Sequence, residues 1–269
     1  MKIFKDTRSG AARAGPKNIV ITGASSGLGA ALATHYAAPG VTLHLQGRNH
    51  ERLERVANLC QEKEATVYFR ALDVTDKEGM RAGLPAADAG APVDLVIANA
   101  GISAGTGGDG ESEAQARNIF ATNVDGVLNT VQRLLFALIA PGHGQVALMS
   151  SLAGIRALPS SPAYSASKAC VRYYGEALRG WLCHKGVEVC VVCPGYIKTP
   201  MTDVNDFPMP FIMQADQAAA RIAQGLSKNR ARIAFPRRLY WPLWWLSCLS
   251  PALTDPVFSR LPGKPSVNL

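Results

Sequence analysis

The chain has 269 residues, of which 48% are hydrophobic and 18% charged. That supplies one large α/β core and leaves too little charge for long disordered stretches. The formal net charge of +8 favours anionic partners such as a nucleotide phosphate, but no block of five or more Lys/Arg occurs, which argues against nucleic acid as the ligand.

Met1 to Gly15 is polar and lacks the apolar stretch of a signal peptide, so it reads as a flexible leader. No run of about 18 apolar residues exists, and no spanning helix is expected. From residue 16 onward strand and helix patterns alternate. Asn18 to Thr22 is a short apolar run, followed by helix over Leu28 to Ala38. Val41 to Leu45 and Thr66 to Leu72 read as strands around a helix from Asn49 to Lys63. A helix begins near Asp76, and Val93 to Ala98 is the fourth strand. A Gly-rich loop, Gly101 to Gly110, precedes a long helix from Glu113 to Ala140. Gln145 to Met149 is the fifth strand, Ala163 to His184 a helix, Val187 to Val192 the sixth strand, and Gln217 to Lys228 a last helix. Continuous apolar strands alternating with helices predict a doubly wound, Rossmann-type α/β domain with a parallel sheet over residues 16–236. Residues 237–269 form an apolar, Trp-rich C-terminal extension that Pro242 and Pro251 interrupt.

The first strand runs into Thr22-Gly23-Ala24-Ser25-Ser26-Gly27-Leu28-Gly29, and a helix pattern starts at once. A dinucleotide site needs this context: a tight turn, a close approach of the backbone to the pyrophosphate, and a helix N-terminus facing the anion. The second strand ends in Gln46-Gly47-Arg48-Asn49, with no carboxylate to hold a ribose 2′-hydroxyl. Arg48 supplies a planar cation suited to a 2′-phosphate, so NADP(H) is expected over NAD(H); its other reading is a solvated residue opening a helix. Asp73, before Val74, is either an adenine contact or a helix N-cap.

Tyr164 and Lys168 are four apart and share a helical face. An ammonium beside a phenol favours the phenolate and lowers its pKa, making an acid/base pair for a carbonyl or alcohol oxygen. Ser150 and Ser151 end the fifth strand at the sheet edge where open α/β folds bind ligands. A hydroxyl there can hold the reacting oxygen, and Ser151 lies 13 residues before Tyr164. Adjacent strand residues face opposite ways, so only one serine can serve. Asn99-Ala100-Gly101 ends the fourth strand and is placed to line the cofactor. Asn123, inside an apolar helix, is either a satisfied interior amide or a polar relay near Lys168.

These motifs, with Pro194-Gly195, resemble the short-chain dehydrogenase/reductase family over about residues 16–235. The resemblance implies a tetrad of Asn123, Ser151, Tyr164 and Lys168, with Lys168 also bonding the nicotinamide ribose and Asn123 holding a relay water. It carries cofactor contacts onto Gly23, Ser25, Ser26, Gly27, Leu28, Gly29, Arg48, Asp73, Val74, Asn99, Ala100, Gly101, Tyr164, Lys168, Pro194, Gly195, Ile197 and Thr199. Ser26 stands where many members have a basic residue, so the NADP(H) expectation rests on Arg48. The family also implies a homodimer or homotetramer. The activity expected is hydride transfer between NADP(H) and a small-molecule carbonyl or secondary alcohol. Phe207, Met209, Phe211 and Met213 follow Pro194-Gly195 and suggest a lipophilic substrate. The rival readings on this fold are a non-enzymatic NADP-binding sensor and a membrane-surface scaffold.

Six cysteines are scattered, and Cys190-Val-Val-Cys193 has the spacing of a redox or metal pair. On a strand the two thiols diverge, so they are expected to pack as small apolar groups, with no metal site, in a reducing, cytoplasmic setting. In the tail, Arg237, Arg238, Arg260 and Lys264 flank Trp241, Trp244 and Trp245. That pattern fits either packing on the lid or a second subunit, or peripheral membrane contact through residues 237–264.

Overall fold

The computed structural model describes residues 15–84, 91–106, 110–260 and 264. Of the leader, Met1 to Gly15, residues 1–14 lie outside the described residues, as do residues 107–109 of the Gly-rich loop. The elements run β1 (Asn18–Thr22), α1 (Gly27–Tyr36), β2 (Thr42–Gly47), α2 (His50–Gln61), β3 (Thr66–Ala71), α3 (Lys77–Gly83), β4 (Leu95–Ala98) and α4 (Glu113–Phe120). They continue with α5 (Gly126–Ile139), β5 (Gln145–Met149), α6 (Pro162–Leu182), β6 (Glu188–Pro194), α7 (Pro200–Asp203), α8 (Ala215–Ser227), β7 (Arg232–Phe235), α9 (Arg237–Ser247) and α10 (Pro251–Phe258).

The strands form one parallel sheet in the order β3-β2-β1-β4-β5-β6-β7. The order reverses between β1 and β4, so their connections leave in opposite directions and open a crevice at the strands' carboxyl ends. The register lines these ends up: Ile21 is opposite Ile97, Ala98 opposite Leu148, and Met149 opposite Val192. Everything that follows a strand at this edge therefore faces one crevice.

Strand alternation divides the core in two. Ile19, Ile21, Leu43 and Leu45 pack with α1, α2 and α8 on one face. Val20, Val96, Val146 and Leu148 pack with α3, α5 and α6 on the other. Cys190 joins the first cluster and Cys193 packs beside Leu152 and Val191 on the opposite side, so the two thiols diverge as their spacing requires.

Three features differ from the sequence reading. The helix expected over Glu113 to Ala140 is broken by a π-helical turn, Ala121–Asp125, in which the Gly126 N–H bonds to the Ala121 carbonyl. A wider turn of this kind re-aims side chains and is common at functional sites. A seventh strand, β7, was not expected: it has four residues, and only Ile233 and Phe235 are buried. The C-terminal extension is not broken at Pro242, which lies inside α9, while Pro251 opens α10. Leu239, Tyr240, Leu243 and Trp244 of α9 pack on Leu152, Ile155, Val191 and Cys193, so this helix folds back over the crevice. Its other side leaves Trp241 and Trp245 exposed. Among the described residues no helix is long and apolar enough to cross a membrane.

Candidate active site

A cavity of about 890 Å³ occupies the crevice and runs from the β1 turn to α9. At one end it is built from backbone. Gly23 and Gly27 have φ of +66° and +55°, a region that glycine enters without strain. A Cβ on Gly29 would fall 2.1 Å from the Gly23 carbonyl oxygen, so the turn and helix touch directly. Ser26 is the N-cap of α1 but makes no side-chain cap, and the first turn carries no acid. The first N–H groups of α1 thus face the cavity without a side-chain partner, where an anion is favoured. This cradle fits a dinucleotide pyrophosphate.

The neighbours of the turn hold it in shape. Asn99 Nδ2 donates to the carbonyls of Thr22 and Gly23 at 3.1 and 3.2 Å. Thr22 Oγ1 accepts from the N–H groups of Asn99 and Ala100 at 3.1 and 3.2 Å. Asn99 therefore braces the turn while also lining the cavity. Asp73 is not the N-cap of α3, which is Asp76; its Oδ1 accepts from the Thr75 N–H and hydroxyl, both at 2.9 Å. Ser25, Leu28, Arg48, Asp73, Val74, Ala100, Gly101, Pro194, Gly195, Ile197 and Thr199 also line the cavity. Thr199 reaches the turn from α7, since a Cβ on Gly27 would meet its Cγ2 at 3.0 Å. Arg52, in the first turn of α2, joins the lining. The sequence reading missed Arg52, since Arg48 precedes the Asn49 N-cap and helical spacing does not relate the two.

The middle of the cavity holds Ser151, Tyr164 and Lys168. The N-terminus of α6 is fixed by Pro162 in its first turn and by Glu111, whose Oε2 accepts from the Ala163 N–H at 2.8 Å. The helix then lies hard against the residues after β5: a Cβ on Gly154 would stand 2.7 Å from the Lys168 carbonyl. Ser150 is buried and its hydroxyl donates to that carbonyl at 2.7 Å, so its side chain is committed to fixing the helix even though the residue borders the cavity. Ser151 points the other way and its hydroxyl is hydrogen-bonded to the Tyr164 side chain. Lys168 Nζ donates to the Met149 carbonyl at 2.9 Å and lies 5.8 Å from the Tyr164 ring centroid.

Asn123 is fully buried in the π-helical turn. Its Oδ1 accepts from the Ile102 N–H at 2.8 Å, and its Nδ2 donates to the Ile102 carbonyl and to Ser167 Oγ, both at 3.0 Å. The amide is satisfied and ties the loop after β4 to α6. Gly101 separates it from Lys168 closely: a Cβ there would crowd Asn123 Oδ1 at 3.0 Å and Lys168 Nζ at 3.1 Å.

The electrostatics depart from one expectation. Burial pushes the Tyr164 phenol above its ordinary range, with the Ser151 hydrogen bond working against that and Tyr196 adding to it. Lys168 directs its ammonium at the Met149 carbonyl, and burial pulls its own pKa down to about 8. Tyr164 is thus held protonated, as a proton donor must be.

At the far end side chains take over. Tyr196 and Phe207 meet edge to face at 6.2 Å, and Pro208 and Pro210 line the wall. Phe211 is half exposed beneath Arg238, and Met213 packs on the core, so of the four apolar side chains only Phe207 faces the cavity. Leu239, Pro242 and Leu243 of α9 and Phe258 of α10 close this end. Lys264 turns inward, lines the cavity and donates to Ser103 Oγ. Among the described residues no cluster of His, Cys, Asp or Glu could hold a metal.

Residues 17–207 match the family model for short chain dehydrogenase. A Myxococcus xanthus (strain DK1622) protein described as an uncharacterized oxidoreductase is 36% identical over 246 residues, covering 91% of this chain and 97% of the relative. In fold, the chain is similar to a short-chain dehydrogenase from Sphingobium yanoikuyae in complex with NADPH, with a TM-score of 0.77 at 22% identity over 91% of this chain and 96% of that one. It is also similar to a short chain dehydrogenase from Mycobacterium paratuberculosis bound to NAD, with a TM-score of 0.70 at 23% identity over 81% and 94%. The chain belongs to the short-chain dehydrogenase/reductase family of oxidoreductases.

Proposed function

We propose that the protein transfers hydride reversibly between NADP(H) and a carbonyl or secondary alcohol carbon of a lipophilic molecule. The observation that carries the reading is one cavity in which a glycine cradle and the Ser151–Tyr164–Lys168 group adjoin an apolar end. When bound, the nicotinamide supplies or takes the hydride. Tyr164 gives its phenolic proton to the reacting oxygen in reduction and takes it back in oxidation. Ser151 orients that oxygen by its hydroxyl. Lys168 holds a positive charge beside Tyr164 and donates to the ribose. Asn123 keeps Gly101 and α6 in register.

NADP(H) is preferred in this reading because β2 ends without a carboxylate and two cations, Arg48 and Arg52, line the cavity beside it. A homo-oligomer belongs to the same proposal: Phe136, Tyr173 and Trp181 of α5 and α6 stand exposed, and association through these two helices would bury them.

The deciding experiment is Tyr164→Phe. Loss of a general acid lowers kcat by about a hundredfold to ten-thousandfold. NADPH affinity, followed by fluorescence titration, is expected to stay within about twofold of wild type, an expectation set by the phenol's role as proton donor alone. A variant that kept more than about a tenth of wild-type kcat would remove Tyr164 from the mechanism.

A further inference from the structure

Lys264 is a half-buried cation that lines the reaction cavity. Its Nζ stands 5.5 Å from the Tyr164 ring centroid and donates to Ser103 Oγ. Its backbone is seated against the loop after β4: a Cβ on Gly105 would fall 2.2 Å from the Lys264 carbonyl oxygen. No carboxylate among the described residues pairs with it, and the ion pairs found among those residues lie elsewhere. Among the described residues that line the cavity, Asp73 is the only carboxylate, and it follows β3 on the cradle side.

An ammonium has three donors, and the Ser103 hydroxyl takes one. A charge held in a largely apolar cavity without a counterion is costly unless something completes it. Burial lowers the Lys264 pKa to about 8, which leaves it mostly protonated at neutral pH. Phe207, Leu243 and Phe258 line the same end and suit a hydrocarbon body.

We propose that Lys264 binds a carboxylate of the substrate, so that the substrate class is a lipophilic oxo-acid or hydroxy-acid whose carboxylate lies close to the reacting carbon. This rests on the hydride-transfer reading of the same cavity. Proximity to the carbon follows from the position of Nζ over the Tyr164 ring. One ammonium assisted by one hydroxyl matches the single charge of a carboxylate; a phosphate would call for more donors.

Two measurements on the full chain test the proposal. The first is calorimetric binding of decanoate against decanol. A charge-assisted hydrogen bond predicts decanoate tighter by about tenfold to a hundredfold in wild type. Lys264→Met is expected to bring the ratio to about one, and Lys264→Arg to keep most of it. The second is turnover of a ten-carbon γ-oxo acid against its methyl ester, where the acid-over-ester ratio in kcat/KM should follow the same pattern. Equal binding of decanoate and decanol in wild type overturns the site. So does a proportional loss for both probes in Lys264→Met, which is the signature of a structural lysine. If no oxo compound is turned over while the decanoate preference holds and follows Lys264, the carboxylate site stands and the hydride-transfer reading falls.

Discussion

The two ends of the cavity are made of different material. At the β1 turn the walls are backbone: positive-φ glycines, a helix N-terminus, and carbonyls braced by Asn99. Beyond Tyr164 the walls are side chains from α9, α10 and the stretch after β6, reached only by folding the end of the chain back over the sheet. A backbone wall fixes one shape and admits few residues, whereas a side-chain wall can change composition without changing the fold. The first suits a ligand common to many enzymes, and the second a ligand particular to one.

The contrast is tested most severely at Gly29. Its missing Cβ is replaced by contact with the Gly23 carbonyl oxygen, so Gly29→Ala must displace the turn itself. Affinity for NADPH and NADH alike is expected to fall by at least about a hundredfold, as measured by titration, because the displaced turn no longer approaches the pyrophosphate. If both cofactors still bound within about threefold of wild type, the cradle would be more pliable than a backbone wall allows.

Arg48 is a side chain at the backbone-built end, and it sharpens the division. Removing one charge-assisted contact, Arg48→Ala should weaken NADPH by about tenfold to a hundredfold and leave NADH nearly untouched. An equal loss for both cofactors would mean that Arg48 shapes the wall and does not read a phosphate.

A smaller, graded effect belongs to the middle of the cavity. Burial raises the Tyr164 pKa, so the phenol keeps its proton through neutral pH. Carbonyl reduction, which needs the acid form, should therefore be flat across neutral pH. Alcohol oxidation, which needs the base form, should climb as pH rises into the alkaline range. Steady-state rates in both directions check this, and an oxidation rate that fell with rising alkalinity would assign the base to another group.

The same contrast explains what could be read from the sequence. Gly23, Gly27 and Gly29 are legible because a left-handed turn and a close backbone contact admit almost nothing else. Tyr164 and Lys168 are legible because helical spacing alone puts them on one face. The choice between Ser150 and Ser151 follows from strand alternation, and the structure turns Ser150 inward. The π-helical turn at Asn123 left no mark, since its residues satisfy an ordinary helix pattern equally well. β7 was missed because four residues with two buried side chains fall below any periodic signal. Lys264 was readable only as a cation beside an apolar segment; that it meets Tyr164, 100 positions earlier, depends on the path of the chain over the sheet. The lowered Tyr164 pKa was expected from the ammonium alone, and burial of the phenol reverses its sign.

The divergent cysteines have a practical consequence for chemical labelling. Burial pushes the thiols of Cys190 and Cys193 up to about 12 and 11, so neither presents a thiolate to an alkylating reagent while the fold holds. Cys170, Cys183 and Cys248 are exposed. A maleimide dye would therefore report the surface first, and delayed uptake by the remaining thiols would time the opening of the sheet. Cys248 caps the end of α9, the helix that closes the cavity, and so offers a native attachment point for watching that helix move.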